Sequence, residues 1–360
     1  MAQFLTTRAT ARWSVLACAA AVLAACGGQP ATGTTAANHG GGTTGFSSSA
    51  GSSNGGRSSS AGAAAVPSGS VQSSTATGSG AGTAANTWTD STPRTAIPLG
   101  DGKVGASPKA GYVDSCTASF RSGRAQHTGP WIDTAAGTWN AATKVSVQGS
   151  VTWPQATHAF TLQGNTRVVT TNDLPVGLPT GTFPIAATDP AFQYDRNPNH
   201  IVAQSLHYTL PADPVAAATP SCLGLGPIGV MIDGVALFDA LDAAGRDAGA
   251  HEIQDTCGGH PQSRGIYHYH DVSSCLLDEA PGTSTLVGYA LDGYGIYVER
   301  NAQGNLPTDA DLGVCHGRTS PVMWNGKLTD IYHYDVTLEY PYTLGCYHGT
   351  PVPSHLLAGG

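Results

Sequence analysis

The stretch Gly265-Ile-Tyr-His-Tyr-His-Asp-Val272 decides the fold because tyrosine and histidine alternate along it. Alternation is typical of a β-strand, in which side chains at i and i+2 lie on one face about 7 Å apart. Tyr267 and Tyr269 therefore share one face, and His268 and His270 share the other. Since metal–imidazole bonds are about 2 Å long, both histidines can reach one ion.

A second string with the same alternation, Asp330-Ile-Tyr-His-Tyr-Asp-Val336, follows later in the chain. It predicts another strand, with Tyr332 and Tyr334 on one face and His333 and Asp335 on the other. The motif is therefore present twice.

An Asp-Gly pair lies between alternating apolar runs upstream of each string, at Asp233 and at Asp292. Asp-Gly between such runs is a hairpin signal, because the glycine supplies the positive φ of a tight turn. Both aspartates are therefore predicted to be turn residues rather than ligands. The sequence predicts two pseudo-symmetric hairpin-plus-strand repeats, over about 229–275 and 288–346.

Duplicated units commonly pack about a pseudo-twofold axis, which would bring the two tyrosine and histidine strands together. His268, His270, His333 and Asp335 would then form a set of three nitrogens and one oxygen. Such a set suits zinc or copper, and His260, which follows Cys257, is a further candidate ligand. Neighbouring tyrosines would orient the imidazoles through hydrogen bonds.

Two alternatives to this site remain open. The histidines can equally be hydrogen-bonded core residues that fix strand register. The alignment of the two strings is also uncertain by one residue, so that Asp335 matches either His270 or Asp271.

Residues 1–26 carry the features of an export signal. Arg8 and Arg12 form a basic start, an apolar run follows from Trp13 to Ala21, and the segment ends in Leu23-Ala24-Ala25-Cys26. The apolar run is too short to span a bilayer. The ending resembles a bacterial lipobox, and this resemblance implies cleavage before Cys26 and acylation of its thiol.

Residues 27–87 are almost entirely Gly, Ser, Ala and Thr, with Arg57 as their one charged residue. Such a composition cannot bury a core and predicts a disordered tether. About sixty residues of this kind span a root-mean-square distance of about 45 Å. We expect the folded domain, 88–360, to be held by a lipid anchor on the membrane of a bacterial cell envelope, on its periplasmic or outer surface.

The net charge excludes one class of partner. Removing Arg8 and Arg12 lowers Lys+Arg from 16 to 14, against 24 acidic residues, so the mature chain carries 14 minus 24, or −10. Nucleic acid is therefore not an expected partner.

Six cysteines remain in the mature domain, and an even number in an oxidising compartment favours disulfides. Zinc ligation by thiolates is the alternative, although no C-x-x-C pair supports it. The symmetry of the repeats predicts two of the disulfide pairs, and the third pair follows by elimination. The predicted pairs are Cys257 with Cys275, Cys315 with Cys346, and Cys116 with Cys222.

The remainder of the domain predicts strands and turns with little helix. Alternating apolar runs broken by Gly, Pro and Asn occupy Lys144 to Thr171, and eight prolines between Leu174 and Pro220 preclude regular helix. One weak helical candidate spans Val235 to Ala248. The predicted fold class is mainly β, a single β-rich domain stapled by disulfides.

The chain resembles the YHYH family, which is named for the string at Tyr267 to His270. This resemblance covers about 197–349 and implies a secreted domain organised by the motif, without a biochemical activity assigned to residues. Other positions that fit are Asn197-Pro198-Asn199-His200, Cys257-Gly-Gly-His260, Asp292-Gly293, Cys315, Tyr332-His333-Tyr334 and Tyr340-Pro341-Tyr342 before Gly345-Cys346.

The preferred hypothesis is an extracytoplasmic lipoprotein that binds a divalent metal ion. Two other classes stay open. A metal-dependent hydrolase or oxidoreductase would need an exchangeable position in a pocket lined by His260, Asp292 or His316, and the sequence contains no recognisable base motif. A surface interaction or structural protein would use the histidines as internal packing residues.

Overall fold

The computed structural model describes residues 93–120, 128–280 and 282–354. All of these residues belong to one compact unit. The predicted signal segment, its Cys26 and the predicted tether lie outside the described residues. Within the described part, no helix combines the length and the apolar character that crossing a bilayer requires.

Strands dominate the described residues, as the alternating patterns predict, with 35% strand and 6% helix. The strands are β1 (Ile97–Pro98), β2 (Val104–Gly105), β3 (Val113–Asp114), β4 (Ile132–Asp133), β5 (Thr138–Trp139), β6 (His158–Gln163), β7 (Thr166–Thr171), β8 (Leu206–Pro211), β9 (Ala216–Ser221), β10 (Pro227–Met231), β11 (Ala236–Phe238), β12 (Gly259–Pro261), β13 (Tyr267–Tyr269), β14 (Ser284–Ala290), β15 (Gly295–Glu299), β16 (Gly317–Trp324), β17 (Lys327–Asp335) and β18 (Tyr347–Gly349). The helices are α1 (Ala248–His251), α2 (Ser274–Glu279) and two 3-10 turns, Pro190–Gln193 and Asp309–Asp311.

The predicted helix over 235–248 is wrong, because that stretch contains β11 and then turns before α1 begins. Aspartate side chains explain the difference. Asp239 accepts a hydrogen bond from the Leu241 N–H, and Asp242 accepts from the N–H groups of Ala244 and Arg246. Such local bonds compete with the backbone hydrogen bonds of a helix. The segment therefore forms turns, although the spacing of its apolar residues is helical.

One eight-stranded sheet carries both motif strands, in the order β12-β13-β11-β10-β14-β15-β17-β16. Its two halves have the same pairing. In each half an antiparallel hairpin (β10–β11 or β14–β15) is followed by a parallel pair (β11–β13 or β15–β17) and an antiparallel outer pair (β13–β12 or β17–β16). The duplication that the sequence predicts would account for this matching order.

The two halves meet at β10 and β14, where Val230 lies opposite Tyr289 in an antiparallel pair. The motif strands β13 and β17 are therefore separated by four intervening strands. At about 4.8 Å per strand step they lie about 24 Å apart. The expectation that these two strands come together is wrong. The reason is that all five residues of β10 are buried, so this apolar strand takes the centre of the sheet.

Both Asp-Gly pairs form the turns that the sequence predicts. Gly234 and Gly293 have φ of 93° and 92°, and each preceding aspartate accepts from a backbone N–H two residues on. The other carboxylate oxygen accepts from a motif tyrosine. Tyr269 donates to Asp233 over 2.9 Å, and Tyr334 donates to Asp292 over 2.6 Å.

A second sheet, β6-β7-β8, packs on the eight-stranded sheet near its centre. Phe160 of β6 contacts Tyr289 of β14 with ring centroids 5.7 Å apart. The guanidinium of Arg167 lies 4.0 Å from the Tyr289 ring and 4.9 Å from the Trp324 ring. Tyr289 and Trp324 are thereby buried near the centre of the sheet, whereas the polar clusters lie towards its two edges.

The six cysteines of the domain form the three predicted disulfides. Cys257–Cys275 and Cys315–Cys346 each join the segment just before an outer strand to the chain beyond the motif. Cys116–Cys222 closes a separation of 106 residues. Thiolate ligation of zinc by these residues is thereby excluded.

Candidate metal centre

Four buried side chains meet near the edge of the eight-stranded sheet that β12 and β13 form. His260 of β12 lies opposite His268 of β13, His270 follows that strand, and Glu252 follows α1. One nitrogen from each histidine and one oxygen of the glutamate lie within 4.8 Å of one another. None of the four residues is more than 7% exposed.

The strand pattern and backbone contacts orient the two motif histidines. The Nδ1 atom of His268 lies 3.2 Å from the Ile266 carbonyl oxygen, and Nδ1 of His270 contacts the carbonyl oxygen of Asp239. Because a carbonyl only accepts, each Nδ1 carries the proton and each Nε2 faces the cluster. The two Nε2 atoms are 3.1 Å apart. Metal-ligating histidines typically have this arrangement, with the second ring nitrogen fixed by a carbonyl.

Glu252 supplies the oxygen of the cluster. Its Oε2 lies 2.9 Å from Nε2 of His260 and 2.8 Å from Nε2 of His270. Neither contact has hydrogen-bond geometry, and both Oε2 of Glu252 and Nε2 of His260 are buried without a hydrogen-bond partner. Leaving such atoms unpaired costs about 1–3 kcal/mol each, so the cluster has the composition of a site that a cation completes.

The charges of Glu252 and the imidazoles are coupled in the ion-free chain. Burial raises the pKa of Glu252, but His260 and His270 outweigh it and hold that pKa well below its ordinary value. Burial lowers the pKa of His270, yet Glu252 and the Asp239 carbonyl raise it to about 9. Burial and the other two imidazoles keep the pKa of His268 well below its ordinary value. In the ion-free chain the site thus holds one carboxylate, a neutral His268 and a stabilised positive charge on His270, so an ion that binds there would displace the Nε2 proton of His270.

Phe238 of β11 covers the cluster. Its ring stacks on His268 with centroids 4.1 Å apart and an interplanar angle of 26°, and it contacts His270 edge-on at 6.0 Å. An aromatic ring in this position fixes the rotation of both imidazoles and excludes water from that side.

His333 and Asp335 form a separate cluster with Glu299 of β15. The Nδ1 atom of His333 lies 3.0 Å from the Ile331 carbonyl oxygen, and its Nε2 lies 3.3 Å from Oε2 of Glu299. The prediction that these residues share one ion with His268 and His270 is wrong, because β13 and β17 occupy opposite halves of the sheet. The predicted ligand set thus belongs to two different places.

Arg318 distinguishes the second cluster from the first. It lies opposite His333, as His260 lies opposite His268. Its guanidinium is 2.9 Å from Glu299 Oε2 and 3.2 Å from Asp335 Oδ1. A protein cation therefore already pairs with both carboxylates here. Burial still raises the pKa of Asp335 to about 7 against the effect of Arg318.

The pairing also settles the alignment of the two motif strings. Leu237 lies opposite Tyr269 in the first half, and Ile296 lies opposite Tyr334 in the second. Asp335 therefore corresponds to His270 and not to Asp271. At matched positions the clusters differ twice, with His270 against Asp335 and His260 against Arg318, and their glutamates come from unmatched positions, Glu252 after α1 and Glu299 at the end of β15.

The motif tyrosines hold the strands in place through side-chain contacts on the face away from the histidines. Tyr267 donates to Asp255 over 2.8 Å, while Tyr269 and Tyr334 bind the hairpin turns. Tyr332 stacks on His348 with ring centroids 3.7 Å apart. These bonds fix the strands whose other faces carry the histidines, and they do not reach the candidate ligands.

His316 and Asp292, which the enzyme hypothesis places in a pocket, lie outside both clusters. His316 is buried, with Nε2 at 3.1 Å from the Thr337 hydroxyl and Nδ1 at 3.4 Å from Asp309. Burial lowers its pKa to about 3. Asp292 is buried and bonded to Tyr334 and to the Gly349 N–H, so both residues have structural partners.

The sequence gives no signal for three residues that complete the clusters, Glu252, Glu299 and Arg318. Glu252 lies eight positions before His260 and outside the strand pattern, and only the chain reversal after α1 brings it to the histidines. Glu299 ends β15, and it lies beside β17 only because these strands pair in parallel. The matched register of β12 and β16 could have identified Arg318, if the pairing of the strings had been known.

The eight-stranded sheet, the disulfides and the buried clusters together define a class of protein. It is a disulfide-stapled β-sheet domain with a histidine and carboxylate centre near one edge of the sheet. The model of the family described as YHYH protein matches residues 207–310. The chain thus contains a YHYH domain, and the match includes the first cluster but ends before β17. No curated protein and no solved structure matches the chain.

Proposed function

We propose that this chain is an extracytoplasmic lipoprotein whose YHYH domain binds one divalent transition-metal ion through Glu252, His260, His268 and His270. The observation that carries the proposal is the convergence of three Nε2 atoms and one carboxylate oxygen, with the outward Nδ1 of His268 and of His270 held by carbonyls. A hydrogen-bonded core cluster would instead pair each nitrogen with a donor or acceptor of good geometry.

The donor set favours particular ions. Three imidazole nitrogens and one carboxylate oxygen suit zinc and copper, whereas calcium and magnesium prefer oxygen ligands throughout. The ligand atoms are 2.8 to 3.1 Å apart where they are closest. Tetrahedral zinc with bonds of about 2.0 Å separates its ligands by about 3.3 Å, so a small outward movement of the side chains accommodates the ion.

The enclosure of the site favours binding over catalysis. Four protein ligands satisfy a tetrahedral ion, and all four are buried under Phe238. A catalytic ion needs an open coordination position for water or substrate. The proposed role is therefore to hold an ion, either as a structural element or as cargo, rather than to hydrolyse or oxidise a substrate.

The proposed location follows from the sequence outside the described residues. The lipobox-like ending at Cys26 and the tether over 27–87 support a lipid anchor in the bacterial cell envelope. Three disulfides in the domain support an oxidising compartment. A mature charge of 14 minus 24 makes nucleic acid an unsuitable partner.

Metal analysis of the domain exported to the periplasm tests the proposal. We expect about one zinc or copper ion per wild-type chain, and at least about a tenfold loss of affinity in His268→Ala and His270→Ala. His333→Ala is the matched control, because His333 occupies the corresponding position in the second half. It should retain the ion.

Two results would contradict the proposal. The first is a wild-type domain that contains no metal after expression and after dialysis against zinc and copper. Equal metal content in wild type and His268→Ala, with only a lower melting temperature in the variant, is the other, and it would show that the histidines are packing residues.

A further inference from the structure

Asp255 is a buried residue whose carboxylate accepts four hydrogen bonds. Its Oδ1 accepts from the N–H groups of Cys257 over 3.0 Å and Gly259 over 3.1 Å. Its Oδ2 accepts from the N–H of Gly181 and from the hydroxyl of Tyr267, both over 2.8 Å. Hydrogen bonds to an ionised acceptor are about twice as strong as neutral ones, so this carboxylate holds its donors in fixed positions.

Two of these bonds reach the strands that carry candidate ligands. Gly259 begins β12 immediately before His260, and Tyr267 begins β13 immediately before His268. One carboxylate therefore holds each strand at the residue next to a ligand. Because His260 lies directly opposite His268 in the ladder, a displacement of either strand would separate the two imidazoles.

The chain between Glu252 and His260 is held by the same residue. Asp255 donates its own N–H to the Gly259 carbonyl over 2.8 Å, which closes the turn before β12. Gly181 approaches so closely that a Cβ on it would lie 2.8 Å from the Asp255 Cβ. The turn is thus attached to a distant segment of the chain, and the separation of the Glu252 and His260 side chains depends on it.

The second half of the sheet makes the same turn without a carboxylate. Gly317 matches Gly259, since each lies opposite the second tyrosine of its motif strand. The Gly317 carbonyl accepts from the N–H of Gly313 over 2.9 Å, so Gly313 occupies the position of Asp255. The backbone turn therefore does not require the carboxylate.

The first tyrosine of each motif strand shows the same contrast. Tyr267 and Tyr332 both extend across the glycine of the neighbouring outer strand, where a Cβ would meet the phenol. The Tyr267 hydroxyl donates to Asp255, whereas the Tyr332 hydroxyl is buried without a hydrogen-bond partner. The carboxylate thus occurs in the half whose outer strand carries a histidine, and glycine replaces it in the half that carries Arg318.

We infer that Asp255 is a positioning residue of the proposed metal centre, which fixes the place of His260 relative to His268 and Glu252. This inference rests on the proposed function. Metal–ligand distances tolerate a deviation of about 0.2 Å, so a small shift of β12 would weaken the contact of His260 with the ion. Residues that orient ligands in this way typically change metal affinity by about 10- to 100-fold.

Zinc affinity in a double-mutant cycle of Asp255 and His260 tests the inference. Asp255→Asn keeps the shape of the side chain but offers only one acceptor oxygen, so it should lower zinc affinity about tenfold. In the His260→Ala background, which lacks the positioned ligand, the same change should lower the remaining affinity by less than about twofold. A role in general stability would lower the affinity equally in both backgrounds.

Asp292→Asn is the matched control. Asp292 is also a buried carboxylate, and it accepts from the Tyr334 hydroxyl and the Gly349 N–H in the other half. Asp292→Asn should lower the melting temperature and leave zinc affinity unchanged.

A milder pair of variants covers the case in which Asp255→Asn does not fold. Tyr267→Phe removes one of the four bonds and should lower zinc affinity about threefold. Tyr332→Phe removes a hydroxyl without a partner and should leave the affinity unchanged.

Three results would overturn the inference while His268→Ala still loses the ion. They are an unchanged zinc affinity in Asp255→Asn, an equal loss in the His260→Ala background, and equal affinities of Tyr267→Phe and Tyr332→Phe. A wild-type domain that binds no zinc would instead contradict the proposed function, and the positioning role with it.

Discussion

His268 and His333 occupy the same position in their strands, and their Nδ1 atoms face the carbonyl two residues earlier in both cases. The residue opposite each of them differs. His260 adds a third imidazole to the first cluster, whereas Arg318 adds a permanent positive charge to the second. A guanidinium cannot lose its proton in a protein, so the same strand geometry leads to a candidate ion site in one half and an ion-pair network in the other.

Asp309, which belongs to neither cluster, makes the stability of the domain depend on pH. Burial and the charge of Glu339 raise its pKa from 3.8 to about 7. The folded chain therefore binds this proton more tightly than the unfolded chain, so stability is full below pH 4 and falls as pH rises towards 7. Asp309→Asn should remove this loss and make the domain more stable by about 1–3 kcal/mol at pH 8, with little difference at pH 4.

Urea unfolding at pH 4 and pH 8 measures the effect. Asp311→Asn is the control of opposite sign, because hydrogen bonds from Thr308 lower the pKa of Asp311. That variant should be the less stable one at pH 8. Equal pH dependence in wild type and Asp309→Asn would show that Asp309 titrates normally.

Two tyrosine hydroxyls differ in their partners. The hydroxyl of Tyr269 donates to Asp233, whose pKa burial raises to about 6, and the hydroxyl of Tyr332 is buried without a hydrogen-bond partner. Tyr269→Phe should lower the free energy of unfolding by about 1–3 kcal/mol, whereas Tyr332→Phe should change it by less than about 0.5 kcal/mol. Chemical denaturation of both variants checks this, and similar losses would contradict the role of the turn bond.

At the scale of elements, the sequence predicts the local pieces well and their arrangement poorly. Alternation and Asp-Gly pairs depend on neighbouring residues, so hairpins, motif strands and side-chain faces follow from them. Which strands meet at the centre depends on burial of whole strands, and β10 and β14 take that place instead of β13 and β17. This is why the sequence groups His268, His270 and His260 with His333 and Asp335, whereas the structure places the last two in a separate cluster.

Strand register leads to a prediction for the second cluster. Because Arg318 corresponds to His260, Arg318→His places an imidazole opposite His333 beside Glu299 and Asp335. We expect the zinc content to rise from about one to about two ions per chain. Arg318→Gln removes the charge without adding an imidazole, and it should bind a second ion at least about tenfold more weakly. A content of one ion in Arg318→His would contradict the correspondence.

At the scale of the whole molecule, covalent closure stabilises the region that contains the proposed ion site. The Cys257–Cys275 disulfide begins three residues before His260 and closes a separation of 18 residues around β12 and β13. In the chain-entropy model such closure contributes about 3 kcal/mol. The first cluster is therefore held in place before any ion binds, and less ordering is needed on binding.

Ion binding should in turn stabilise the domain. Zinc at a free concentration of about 100 times its dissociation constant adds about 2.7 kcal/mol to the free energy of unfolding, since it binds the folded chain. We expect a higher melting temperature with zinc for wild type and for His333→Ala, and none for His268→Ala. Thermal unfolding with zinc and with a chelator measures this, and an equal shift in His268→Ala would place the binding elsewhere.

Both outermost strands of the eight-stranded sheet contain a proline, Pro261 in β12 and Pro321 in β16. Proline has no N–H to offer, so a strand from another molecule cannot continue the ladder past these positions. A lipid anchor would crowd many copies into one membrane plane, where exposed sheet margins favour fibre growth. The β12 margin is also covered, because its residues are buried and the Pro261 carbonyl accepts hydrogen bonds from the Asn197 and Asn199 amides, so neither margin would offer crowded neighbours a continuous ladder.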